Sequence, residues 1–148
     1  MYTAIKFLHL VSAIVWLGGM TFMLLVLRPA RAEQLPPPQR LPLLARVLSR
    51  FFMLVWGAVV LLLLSGGFMM SQAGALAMPI GWHLMAGIGV LMCLIFGHLY
   101  FVPYRRLQSA LAAADWPEGG RRASQIAMLV TVNFWLGWLA VAAISFLA

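Results

Sequence analysis

Residues 7–31 read FLHLVSAIVWLGGMTFMLLVLRPAR, and this stretch decides the fold. No charged side chain stands between Lys6 and Arg28. A helix rises about 1.5 Å per residue, so residues 7–27 reach about 30 Å, the thickness of a bilayer's hydrocarbon core. In that medium backbone N–H and C=O groups have no water to bond, and a lone crossing segment satisfies them only as a helix. The stretch closes on Arg28-Pro29, where a charge meets a residue with no N–H to give the ladder. A secretory leader has a shorter apolar core and ends at small residues rather than an arginine cluster. The segment therefore reads as a retained first span of about residues 3–27.

Working outward, the same pattern recurs at about residues 51–71, 80–102 and 125–147. Four spans and their connections account for all 148 residues as one transmembrane domain. Composition agrees: 64% of residues are hydrophobic and 9% charged, against roughly 25% charged in soluble domains. The expected fold is all-α, an integral membrane four-helix up-down bundle. The first connection holds Arg28, Arg31, Arg40, Arg46 and Arg50 against Glu33. Its Pro36-Pro37-Pro38 run is expected to be extended and stiff. Leu41, Leu44, Leu48 and Phe51 then recur at helical spacing, which predicts an amphipathic lead-in lying along the interface. The third connection holds Arg105, Arg106, Arg121 and Arg122 with Asp115 and Glu118, and Gly119-Gly120 is expected to turn the chain. The link 72–81 has no charge, and Pro79 is expected to open span three.

Nine arginines thus lie in two connections on one side, against Lys6 on the other. Cytoplasmic connections collect Lys and Arg, so both termini are expected outside, N-out and C-out, in a bacterial inner (plasma) membrane. The net charge of +7 does not signal nucleic acid, because the basic residues flank apolar runs. The bilayer is the expected partner. A lone cysteine, Cys93, makes neither an internal disulfide nor a zinc motif.

Polar groups in lipid are costly and are functional hypotheses by default. His9 is about six residues into span one and His83 about four into span three, so their depths agree within roughly 5 Å. Spans one and three are diagonal in an up-down bundle, and the two imidazoles could hold haem b edge-on or, alternatively, copper. His98 is about 22 Å along the helix from His83 and could serve only a second site. His9, Ser12, Trp16, Met20 and Met23 share one stripe; His83, Gly87, Val90, Leu94 and Gly97 share another. Ser12, Trp16, Met20, Gly87 and Asn133 are the expected pocket lining, with ordinary small-residue packing as the alternative. Met69, Met70 and Met78 gather near the outer ends of spans two and three. Thioethers select Cu(I), although methionine also fills irregular gaps in apolar helices. Asn133, near Thr131, could instead bond across helices. Trp82 and Tyr2, with Tyr100 and Tyr104, fit interfacial belts. No acid lies in any span, so paired-carboxylate and Ser–His–Asp chemistry is unavailable and any reaction would be redox.

His9-Leu10-Val11-Ser12-Ala13-Ile14-Val15-Trp16-Leu17-Gly18-Gly19-Met20, followed by Leu27-Arg28-Pro29-Ala30, resembles the opening of the CopD-like (copper resistance protein D) membrane family. His83-Leu84-Met85 through Gly97-His98-Leu99-Tyr100-Phe101 to Pro103-Tyr104-Arg105-Arg106-Leu107 resembles the third helix of its short members. Asp115-Trp116-Pro117 and Asn133…Leu136-Gly137 extend the likeness. The resemblance implies copper uptake or homeostasis. The related HemJ-type protoporphyrinogen oxidases carry haem and a first-helix His like His9, but their third-helix His is followed two residues on by Lys, where this chain has Met85. The leading expectation is haem b between His9 and His83, exchanging electrons with a membrane or periplasmic redox partner. Copper handling comes second, HemJ-like oxidase activity third, and a structural subunit or homo-oligomer last.

Overall fold

The computed structural model describes residues 1–74 and 77–148. Its helices are α1 (Tyr2–Phe22), α2 (Arg28–Gln34), α3 (Pro37–Ala73), α4 (Ile80–Leu99), α5 (Arg105–Ala112) and α6 (Trp116–Leu147). Single π-helical turns, Met23–Leu27 and Tyr100–Tyr104, join α1 to α2 and α4 to α5. Proline explains both. Pro29 and Pro103 each lack an N–H and push against the carbonyl four residues back, and one wider turn accommodates the ring without ending the helix. Residues Tyr2–Gln34 and Ile80–Ala112 therefore run as continuous helices of 33 residues each. At about 50 Å these exceed the hydrocarbon core, so their arginine-bearing ends stand clear of it.

Four helices are long and apolar enough to cross a membrane, as the sequence leads one to expect. Three local expectations change. The proline run does not form an extended spacer: Pro36 is the extended cap and Pro37 already begins α3, at the first turn where missing donors cost nothing. The lead-in 41–51 does not lie along the interface but continues straight into the second span, burying Leu41, Leu44 and Leu48 against the bundle. Gly119-Gly120 is not a turn, because α6 starts at Trp116, capped by Asp115 accepting the Glu118 N–H at 3.2 Å. Gly119 is instead a close-approach point, where a Cβ would stand 3.2 Å from Leu41 Cδ1.

The helices form two hairpins, α1 along α3 and α4 along α6, and α6 meets both helices of the first hairpin. At the end away from the arginines α4 and α6 touch backbone to backbone: a Cβ at Gly81 would fall 2.5 Å from the Ala143 carbonyl oxygen. In the basic half, aromatic rings join the hairpins. Phe52 packs edge-on to Phe96 at 5.5 Å and to Tyr104 at 4.9 Å, and Trp56 to Tyr100 at 5.5 Å. Tyr104 is thus 4% exposed, a core residue rather than a member of an interfacial belt. Outward, Phe7, Ile14, Met53, Leu64, Leu94 and Trp135 are each more than 60% exposed. Such a continuous apolar surface is what lipid requires and water would not tolerate.

Candidate metal site beside His9

His9 projects from α1 toward α3, where its Nδ1 lies 2.8 Å from Ser65 Oγ. The serine hydroxyl is within 2.5 Å of the Leu61 carbonyl, four residues back on its own helix. Serine has a single proton, and a carbonyl can only accept, so a proton given to Leu61 is not available to His9. With the proton so placed, Ser65 Oγ accepts from His9 in the tautomer that carries its proton on Nδ1 and an unshared pair on Nε2. Gly66 provides the room: a Cβ there would stand 3.3 Å from His9 Cε1. Ser65 and Gly66 do for the imidazole what an outer-shell partner does at metal centres, fixing tautomer and ring orientation.

The methionines of the expected cluster lie further along the same end of the bundle. Met69 is one turn beyond Ser65 on the same buried face of α3, and Met78, also buried, stands before Pro79, the cap of α4. Met70 is half-buried. Ser12, Trp16, Met20 and Met23 all face the bundle with His9, as their common stripe predicts. Ser12 is turned onto the Leu8 carbonyl, and Trp16 packs edge-on to Phe96 at 6.1 Å.

His83 does not join His9. The inward stripe of α4 is Gly81, Met92, Phe96 and Leu99. His83 lies nine residues before Met92, two and a half turns, and so projects from the opposite side, where it is exposed. Gly87, Val90 and Leu94 follow it outward and line no shared pocket with α1. The bis-imidazole arrangement drawn from equal depths is therefore not formed within one chain. His98 is exposed as well. Asn133 is buried and acts as interhelical glue, its Nδ2 donating to the Met92 carbonyl at 3.1 Å. Among the described residues no three His, Cys, Asp or Glu side chains converge, so any metal here would rely on thioether sulfur beside the imidazole.

Ser65 is the residue that sequence reasoning missed. Its signal was depth: counted from the outer end, Ser65-Gly66 stands on span two at about the level of His9 on span one.

Four apolar helices with a half-buried imidazole hydrogen-bonded between the first two define a multi-pass membrane protein. The family of copper resistance protein D matches residues 45–147, and the chain belongs to that family. Ser65, Met69, Met78 and His83 fall inside the matched region, whereas α1 with His9 precedes it. No curated protein and no solved structure matches the chain.

Proposed function

We propose that this chain handles copper at the outer side of the membrane as an uptake or homeostasis protein, with copper as cargo rather than as a resident cofactor. Family membership supports copper as the metal. One observation supports the site: the His9–Ser65 hydrogen bond, which leaves Nε2 of His9 as an unprotonated donor. Imidazole with thioether suits Cu(I), the softer and less charged ion, and the set carries no carboxylate that would favour hard cations. Met69 and Met78 are the sulfur donors of this reading. No carboxylate is at hand to neutralise the cationic cargo, since no acid lies in any span.

The reading is tested by expressing the chain with copper and measuring bound metal after purification in mild detergent. Copper is expected in the native chain and lost in His9→Ala and in Met69→Leu with Met78→Leu, while His83→Ala retains it. Equal copper in His9→Ala and the native chain would overturn the site. A reduced-minus-oxidised spectrum of the same sample, carrying Soret and alpha bands, would favour haem and overturn the copper reading.

A further inference from the structure

The basic end of the bundle holds a cavity that the metal site does not use. It measures about 180 Å³ and lies between α2, the start of α3 and the start of α6. Arg28, Arg31 and Arg40 line it, together with Leu41, Gly120 and Ser124. That volume is well above what one ordered water needs. Buried guanidinium groups are ordinarily paired, and the acid on α6 is already committed. Glu118 takes Arg121 and Arg122, the latter at 2.6 Å. Arg31 Nε is buried with no hydrogen-bond partner, and among the described residues neither Arg28, Arg31 nor Arg40 has a carboxylate within ion-pair distance. Burial and the neighbouring charges of Arg40 and Arg28 push the Arg31 guanidinium below its ordinary pKa, so the three cations repel one another across the cavity.

The cavity also continues toward the membrane. An apolar groove shares Arg28, Arg31, Ala123 and Ala127 with it and descends along Leu27, Leu44, Leu48 and Val130. A soluble anion would use only the upper part. An occupant with a phosphate above and a hydrocarbon chain below uses both.

We propose that this is a specific site for an anionic phospholipid of the cytoplasmic leaflet, its phosphate held by Arg28, Arg31 and Arg40 and an acyl chain lying against Leu27, Leu44 and Leu48. Guanidinium forks match phosphate oxygens two at a time. Basic pockets between membrane helices on the cytoplasmic side are suited to such headgroups. The bound lipid would neutralise the mutual repulsion of the three arginines and tie α2 to α6, two elements that are otherwise apposed across the cavity.

The test is native mass spectrometry and thermal unfolding of the purified chain in detergent, titrated with phosphatidylglycerol, phosphatidylcholine or inorganic phosphate. Phosphatidylglycerol is expected to bind as a discrete adduct and raise the unfolding temperature. Phosphatidylcholine and inorganic phosphate at the same concentration are expected to do neither. Arg28→Gln with Arg40→Gln should weaken phosphatidylglycerol binding by about 30-fold for the two charges removed. Arg46→Gln with Arg50→Gln removes the same charge from exposed positions outside the cavity and should change it by less than about threefold. Equal losses in the two double variants would show diffuse surface attraction and overturn the site. Protection by inorganic phosphate would assign it to a soluble anion, and protection by phosphatidylcholine to chain packing alone. Arg31→Gln tests the buried guanidinium separately, and retained phosphatidylglycerol selectivity in a folded Arg31→Gln chain would also overturn the assignment.

Discussion

Replacing Ser65 by alanine separates two roles that the hydroxyl plays. On the proposed tautomer its Oγ accepts from His9 and donates to the Leu61 carbonyl. The Leu61 carbonyl keeps its own place in the helix, so the folding cost is confined to the contact with His9. Hydrogen bonds between membrane helices are worth about 0.6 kcal/mol on average and at most about 1.7, so Ser65→Ala should lower stability by no more than that. The effect on copper should be larger. Without Ser65 nothing holds the proton on Nδ1, and the imidazole is released to present either nitrogen or to rotate away from the sulfurs. Loss of such outer-shell partners weakens metal binding by about 10- to 100-fold, or about 1.4 to 2.8 kcal/mol. Competition with a chromophoric Cu(I) chelator under anaerobic conditions, in detergent, measures this directly. Ser145→Ala is the control, since its hydroxyl likewise bonds the carbonyl four residues back but touches no histidine. Nitrogen-15 NMR of the metal-free native chain should find the His9 proton on Nδ1. Unchanged copper affinity in a folded Ser65→Ala chain, or a native His9 protonated on Nε2 instead, would refute the reasoning.

Three further outcomes follow from packing and charge. Gly81→Ala places a methyl group against the Ala143 carbonyl oxygen and the Leu147 backbone, which cannot rotate aside, and should destabilise the outer end by about 1–3 kcal/mol in denaturant titrations. Gly137→Ala should cost less, because its nearest neighbours are the chain ends of Leu17 and Met92. Asn133→Leu should be nearly neutral in the same assay, within about 1 kcal/mol. It removes one bond to Met92 but also removes Oδ1, which is buried without a partner. Glu118 is held below the usual carboxylate range chiefly by its hydrogen bond with Arg122. A depressed folded pKa contributes stability above the unfolded value and loses it as pH falls through the folded one. The thermal stability difference between native and Glu118→Gln chains should therefore be full at neutral pH and vanish on acidification below the ordinary glutamate range.

Span number and the inward stripe of α1 were legible because each rests on a strong signal. An uncharged run of bilayer length between Lys6 and Arg28 admits one structure, and the arginines all fall on one side. The face of α4 was not legible. In water the polar side of a helix faces out, but in lipid every side is apolar and periodicity no longer separates core from surface. Taking His83 as the inward marker chose the wrong side, since the true core face carries Gly81, Met92, Phe96 and Leu99. Tyr104 misled for a related reason: an aromatic near a span end fits a belt, but the helix runs on through Pro103 and carries that end into the protein. The partner of His9 lies 56 residues away in sequence and was accessible only by comparing depths on antiparallel spans.

Because α1 closes on α3 and α4 on α6, the hairpin, not the single helix, is the packing unit of this chain. Each hairpin carries its whole load of arginine at its basic end, and the segment 72–81 joining the hairpins at the far end is uncharged. On the N-out orientation expected from the arginines, Lys6 is the one side-chain cation that has to be carried across the hydrocarbon during synthesis.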